Sequence, residues 1–172
     1  MTFMIPPRSV WDGFFAGWSA VDIEDVRFVL RPAQPGDDLP VLPDVLNGLW
    51  IITSDNPGGL LRSTSLNVER RSELRVEMVT HQILGRCSAL YPSLGAKDGA
   101  WEDGEVGLAT RCSRELAVDL GHGFGQLAVY HLSALGRSLV PCIRRASVGQ
   151  EPQPMVWYRT EAPSRLAHRL RS

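Results

Sequence analysis

Between Leu49 and Thr53 the chain reads Leu-Trp-Ile-Ile-Thr, a run of β-forming residues without polar alternation. Such a run needs cover on both faces, so it belongs in the middle of a sheet. Gly48 precedes it, and Asn56-Pro57-Gly58-Gly59 follows, so turn formers bound it on both sides. The next segment, Ser65 to Leu84, changes period. Val68, Val76, Val79 and Ile83, joined by Met78, make one apolar helical stripe, and Gly85 suits the C-terminal cap. Glu69, Arg70, Arg71, Glu73, Arg75 and Glu77 read as the solvated face of that helix. A covered strand feeding a long amphipathic helix implies a layered α and β architecture.

The pattern continues with a strand over Arg86 to Tyr91, a turn-rich connection holding Trp101, and a strand over Glu105 to Thr110. Ser113 suits the N-cap of a second helix with Glu115 near its positive end. Leu116, Leu120 and Phe124 recur on its inner face, and Gly125 ends it before a strand over Leu127 to Leu132. From Leu49 to Leu132 the order is β-α-β-β-α-β. The expected fold class is therefore α+β: a split βαβ, ferredoxin-like sheet with two helices on one face. An N-terminal helix over Ser9 to Ala20, capped by Ser9, and a strand over Val26 to Leu30 are expected to extend it. Trp11, Phe14, Phe15 and Trp18 form the aromatic stripe of that helix and read as core. Pro32 to Pro43 reads as an irregular surface loop. Ser138 to Ile143 pairs with the preceding strand through an Ala134 to Arg137 turn, Met155 to Tyr158 is read as an edge strand, and Leu166 to Leu170 as a final helical turn. Residues 1–148 are expected to form one domain, with 149–172 a basic C-terminal extension.

No run of about 18 apolar residues is present, so a transmembrane helix and a membrane partner are not expected. Met1 to Val10 lacks the apolar core of a secretory signal, which leaves the cytoplasm as the expected location. Cys87, Cys112 and Cys142 lie far apart, without a CxxC pair, and read as small buried hydrophobes rather than a disulfide framework or zinc site. His81, His122, His131 and His168 supply no metal-ligand spacing, so neither metal nor cofactor is expected. The net charge of −1 makes no case for nucleic acid. The charge is uneven, however: Met1 to Leu60 holds three Arg against eight Asp or Glu, and Arg137 to Ser172 seven Arg against two Glu. Either the two ends lie on different faces or touch each other, or the basic tail grips an acidic partner.

Chemistry-bearing residues gather at element ends. The loop Ser54, Asp55, Asn56, Pro57, Gly58 and Gly59 joins a strand to a helix, where backbone N–H groups and the helix's positive end favour an anion. It carries neither a GxGxxG nor a P-loop pattern, and its composition equally suits a plain turn. Ser63, Thr64 and Ser65 compete for one N-cap role, while Asn67 points to the same end of the sheet as Asn56, and Arg71 follows one turn on. Two amides beside a helix N-terminus hold polar ligands well and do not titrate. Glu105 opens a strand just after Trp101 and would serve as a base or grip a ligand amine if it faced those amides. His122, in Gly-His-Gly-Phe-Gly-Gln, is a second weak catalytic candidate. Its place near a helix end equally suits interaction with the dipole.

The run Trp-Ile-Ile-Thr-Ser-Asp-Asn-Pro-Gly-Gly, then Ser63 with Asn67, Tyr-Pro-Ser-Leu-Gly-Ala, Trp101 four residues before Glu105, and Phe-Gly-Gln at 124–126 together resemble an uncharacterised bacterial family. It is known only as a domain of unknown function, number 3293, and the likeness spans about residues 11–131. The family pattern falls on Thr53, Asn56, Pro57, Ser63, Asn67, Gly95, Glu105, Gly125 and Gln126. Where the family usually places a Pro-Ser-like pair after the carboxylate, this chain has Val106 and Gly107. The resemblance implies no activity, but it groups Asn56, Asn67, Glu105 and Gln126 as one set expected to meet at one edge of the sheet.

Three readings follow. The first is a non-catalytic binding module that holds a small polar or anionic ligand at residues 49–71, through Asn56, Ser63, Asn67, Arg71, Glu105 and Gln126. The second is an accessory protein that docks a protein partner through the aromatic N-terminal helix or the charged ends. The third is an enzyme with Glu105 as general base and Arg71 or His122 as electrostatic helper.

Overall fold

Residues 7–143 and 151–162 are described by a computed structural model of the chain. They form one sheet of eight strands: β1 (Trp18–Ile23), β2 (Val26–Pro32), β3 (Trp50–Thr53), β4 (Tyr91–Ala96), β5 (Glu105–Thr110), β6 (Ala128–Ser133), β7 (Gly136–Pro141) and β8 (Met155–Glu161). Three α-helices accompany them, α1 (Arg8–Ala16), α2 (Thr64–Ile83) and α3 (Arg114–Gly123). The spatial order is β7-β6-β3-β5-β4-β1-β2-β8, and every neighbouring pair is antiparallel. The sheet curls until its two edges touch. Arg137 in β7 and Gln153, just before β8, exchange both backbone hydrogen bonds, at 2.9 and 2.8 Å. Gly136 permits this approach, since a Cβ there would stand 2.1 Å from Gln153 O.

The ferredoxin-like class expected from the sequence is corrected by this arrangement. The strands of the expected unit lie side by side in the order β6-β3-β5-β4, but they make up only half of a curled antiparallel sheet. A third helix and four further strands complete it: β7 covers the outer edge of β6, and β1, β2 and β8 extend the sheet beyond β4. An exposed edge strand is a row of unpaired backbone groups, and both edges of the smaller unit are taken up in this way.

Local corrections have local causes. The N-terminal helix stops at Ala16 instead of Ala20, because Gly17 leaves the helical conformation. Trp18 therefore opens β1, which turns through Glu24 and Asp25 into β2. Pro7, not Ser9, occupies the N-cap. The strand expected over Arg86 to Tyr91 lies instead at Tyr91–Ala96, with Pro92 inside it. Pro92 sits past the last residue of β4 that pairs with β1, where a missing N–H is tolerated.

The buried face of α2 runs through Asn67, Leu74 and Met78, whereas Val76 and Ile83, expected in the stripe, are exposed. Arg70 and Arg71 lie half-buried on the inward side rather than on a solvated face. Of the residues competing to cap α2, Ser63 does so, its Oγ accepting from Leu66 N, and the cap expected at Ser113 is present, its Oγ accepting from Leu116 N.

Hydrophobic clusters cover both faces of the sheet. Val21, Phe28, Leu30, Leu46, Leu49, Ile51, Ala109, Leu132 and Met155 fill the enclosed side. Trp50, Ile52, Leu108, Val129 and Val140 pack beneath Leu74 and Met78 of α2 and Ala117 and Leu120 of α3. Strands β3 and β5 approach closely at Gly107, where an added Cβ would lie 2.4 Å from Ile52 O and 3.0 Å from Thr53 Cγ2. Gly107→Ala is expected to cost about 2–3 kcal/mol, because β3 and β5 must separate to admit a methyl group. Urea unfolding measures this, and an unchanged midpoint would refute so close an approach.

The basic extension expected over 149–172 falls partly outside the described residues, as does the helical turn expected at Leu166 to Leu170. Within the described part, β8 pairs with β2 over its whole length, and Met155 joins the enclosed core.

Candidate functional site

The loop after β3 is held by side chains from three other elements. Asn56 adopts a left-handed conformation, φ 47°, which short polar residues tolerate better than others. This turns its side chain toward α2 and β5. Its Oδ1 accepts from Asn67 Nδ2 at 3.1 Å and from Arg62 N at 3.0 Å, while its backbone N–H donates to Asn67 Oδ1 at 3.1 Å. Its Nδ2 donates to Glu105 Oε1 at 3.1 Å. Asp55, next to it, is 1% exposed and receives Arg71 Nε at 2.8 Å, Arg71 Nη2 at 2.5 Å and Val106 N at 3.0 Å. Arg70 donates to Ser54 O and Phe124 O, tying α2 to the end of α3. Gln126 donates to Asp55 O at 2.8 Å and accepts from Thr53 Oγ1 at 3.0 Å.

The four residues grouped from the sequence thus meet at one end of the sheet. Asn56, Asn67 and Glu105 form one hydrogen-bonded chain, and Gln126 joins it through the backbone of the same loop. Ser63 lies at the rim as the α2 cap, 3.2 Å from Ser65 Oγ. Arg71 is committed to Asp55, so its guanidinium is neutralised inside the cluster. His122 stands exposed near the end of α3, with Nδ1 3.2 Å from Cys142 O.

Strand register shows which way Glu105 faces. Ser19, Gly95 and Glu105 form one row across β1, β4 and β5, and Val21, Ser93, Gly107 and Thr53 form the next. Side chains two residues apart share a face, and Val21 belongs to the enclosed core. The enclosed side is therefore apolar at one end and polar at the other. Tyr130, opposite Ile51, and Arg137, two residues along from Leu139, complete the polar end. The Arg137 guanidinium is buried, lies 4.5 Å from the centre of the Tyr130 ring, and donates to Ser19 Oγ at 2.9 Å and Phe15 O at 3.1 Å. Tyr130 Oη donates to Phe14 O at 2.9 Å. Ser93 Oγ is buried with no hydrogen-bond partner among the described residues.

Asp55, Ser93, Tyr130 and Arg137 were not among the site residues expected from the sequence. Asp55 adjoins Asn56 in the same loop and was legible as a neighbour. The other three come from strands whose partners no local pattern reveals.

Burial pushes the Glu105 carboxyl above its ordinary value of 4.5. The Asp55 charge adds to the rise, while the Asn56 hydrogen bond and Arg71 oppose it. Burial likewise raises the Tyr130 phenol, which Arg137 offsets and Glu105 reinforces. A carboxyl raised on folding keeps its proton in the native state after the unfolded chain has released it. Its contribution to stability is complete below 4.5 and is lost as pH rises through the folded value. Glu105→Gln removes that dependence, so the stability of the variant relative to wild type is expected to grow from pH 4 to pH 7. Urea midpoints across that range measure it, and a constant difference would refute the raised carboxyl.

Among the described residues, no group of three or more His, Cys, Asp or Glu is placed to hold a metal ion, and no helix is long and apolar enough to cross a membrane. Neither the curated proteins nor the solved structures contain a match to this chain. A family model described as a protein of unknown function (DUF3293) matches residues 52–129, the stretch from β3 into β6 that contains the entire Asn56, Asn67, Glu105 and Gln126 cluster.

Proposed function

We propose that the protein is a non-catalytic binding module. Its ligand is a small polar molecule bearing a hydrogen-bond donor, held where the loop after β3, the start of α2 and Glu105 meet. The observation that carries this reading is the Glu105 carboxylate. It is half-buried, one oxygen is oriented by Asn56 Nδ2, and no cation pairs with it among the described residues. A carboxylate drawn out of water without a counter-charge is costly, and an amine, amide or hydroxyl of a ligand would offset that cost. The unpartnered Ser93 Oγ, in the next row on the same face, adds a second polar contact. Because Arg71 is neutralised by Asp55, the recognition chemistry favours a donor group over an anion.

The aromatic face of α1 gives little support to docking through that helix. Trp11 is buried against Leu127 and Leu139, and Phe14 and Phe15 pack on the same cluster. The raised carboxyl of Glu105 favours a second reading, in which it acts as a general base.

A thermal-shift screen over amines, amino acids, nucleosides and sugars, with Glu105→Gln as the paired variant, tests both. A ligand at about 100 times its Kd adds about 2.7 kcal/mol and raises the melting temperature of wild type. Under the binding reading the variant loses that shift, and the compound is recovered unchanged. Chemical conversion of the compound by wild type alone would replace binding with catalysis. Equal shifts in both proteins, or none across the panel, would overturn both readings of Glu105.

A further inference from the structure

Cys87 follows α2 and Cys112 precedes α3, and the two stand opposite each other as an isolated antiparallel bridge. Ser88 N donates to Arg111 O at 2.9 Å, one residue after Cys87 and one before Cys112. In an antiparallel ladder, that flanking bond makes the cysteines a non-hydrogen-bonded pair, in which Cα atoms lie about 4.5 Å apart and the side chains approach closely. The separation falls within the range of about 4.4–6.8 Å that a disulfide spans. Both thiols are free and half-buried, so a small reagent can reach them. Cys87 Sγ donates to Met78 O at 3.5 Å, and Cys87 and Thr110 also interact.

We propose that Cys87 and Cys112 form a site of reversible oxidative modification, closing to an intramolecular disulfide at the base of the β4–β5 pair. A low-molecular-weight disulfide such as oxidised glutathione supplies the oxidising equivalents. Cys87 gives its proton to solvent, and its thiolate attacks one glutathione sulfur, breaking that S–S bond and releasing one glutathione thiolate. Cys112 then loses its proton and attacks the Cys87 sulfur of the mixed disulfide, releasing the second glutathione thiolate. The two cysteines lose two electrons and two protons, and the glutathione disulfide gains the electrons to become two thiols. Cys87 is assigned the first attack because burial and the neighbouring Cys87 sulfur push the Cys112 thiol up to about 11. Burial raises Cys87 as well, so the reaction is slow at neutral pH and gains up to about tenfold per pH unit toward the thiol pKa.

The full chain is incubated with oxidised glutathione at pH 8.5, quenched with acid, and analysed by intact mass and peptide mapping. Cys142→Ser serves as the background that removes the remaining thiol. The expected product has lost about two hydrogen masses, carries a Cys87–Cys112 crosslinked peptide, and reverts with dithiothreitol. It melts about 5–10 °C higher than the reduced protein, because the link constrains the unfolded chain between the two residues. Cys87→Ala and Cys112→Ala each yield no internal crosslink. A wild-type product carrying only glutathione adducts, or only intermolecular crosslinks, would overturn the proposal, as would unchanged mass after oxidation at pH 8.5.

Discussion

Asp55→Ala is expected to lower stability by about 3–5 kcal/mol in urea unfolding, among the largest effects of any single substitution in this protein. Asp55 is 1% exposed and takes both guanidinium bonds of Arg71 together with the Val106 N–H. Truncation leaves a partly buried cation without its counter-charge and orphans a backbone donor in β5, and each loss alone is costly. Asp55→Asn keeps the shape but not the charge, and should fall between Asp55→Ala and wild type. Adding Arg71→Met to Asp55→Ala should recover part of the loss, since it removes the orphaned cation. A double-mutant cycle reads that coupling directly. A loss below about 1 kcal/mol for Asp55→Ala would place the pair among ordinary surface ion pairs. The loop that carries Asp55 also carries Asn56, so the same variant should loosen the hold on Glu105 and abolish any ligand-induced thermal shift.

Arg137→Met should cost about 3 kcal/mol, although methionine is apolar and replaces the aliphatic stem. Arg137 is 2% exposed, and among the described residues no carboxylate is a hydrogen-bond partner of its guanidinium. Burial lowers its pKa, and the Tyr130 ring and hydroxyl work against that. Its contribution lies in what it satisfies. It bonds to Phe14 O and Phe15 O at the C-terminal end of α1, to Ser19 Oγ in β1, and to Gln153 Oε1 where the sheet edges meet. Methionine would leave Phe15 O and Ser19 Oγ without that donor, at about 1–3 kcal/mol for each that finds no water, while Phe14 O keeps Tyr130 Oη. Arg137→Lys restores the charge but not the planar fork, and should recover only part of the loss. Hydrogen exchange locates the effect. Protection should fall first in α1 and at the Arg137–Gln153 bridge, and uniform loss across the sheet would contradict this assignment.

Much of the local structure was legible in the residues. Ser63 and Ser113 announced helix starts because a hydroxyl before an amphipathic run satisfies N–H groups that the helix cannot. Leu49 to Thr53 announced a covered strand because continuous apolar residues cannot face water on either side. Within the candidate site, Asn56, Asn67 and Glu105 were identifiable because each stands at the end of an element, and the family resemblance added Gln126 and grouped the four.

Other features were misread where two periods overlapped. Trp18 continues the helical spacing of Trp11 and Phe14 but belongs to β1, because Gly17 ends the helix and the segment after it pairs with β2 and β4. Arg70 and Arg71 looked like members of a charged face, and nothing local shows that acceptors at Asp55, Ser54 and Phe124 wait on the inner side of α2.

By itself, then, the chain determined the caps of α2 and α3, its central strand and the polar residues at element ends, because each depends on neighbours within a few positions. Only the tertiary structure decided that β1 joins β4, that β8 joins β2, and that the sheet curls until Arg137 meets Gln153. It alone also put Cys87 opposite Cys112 and gave Asp55 to Arg71. The reason is physical. A backbone hydrogen bond between strands is nearly indifferent to side-chain identity, so many pairings satisfy one sequence locally. The pairing that prevails is the one that buries every apolar face and every edge at once.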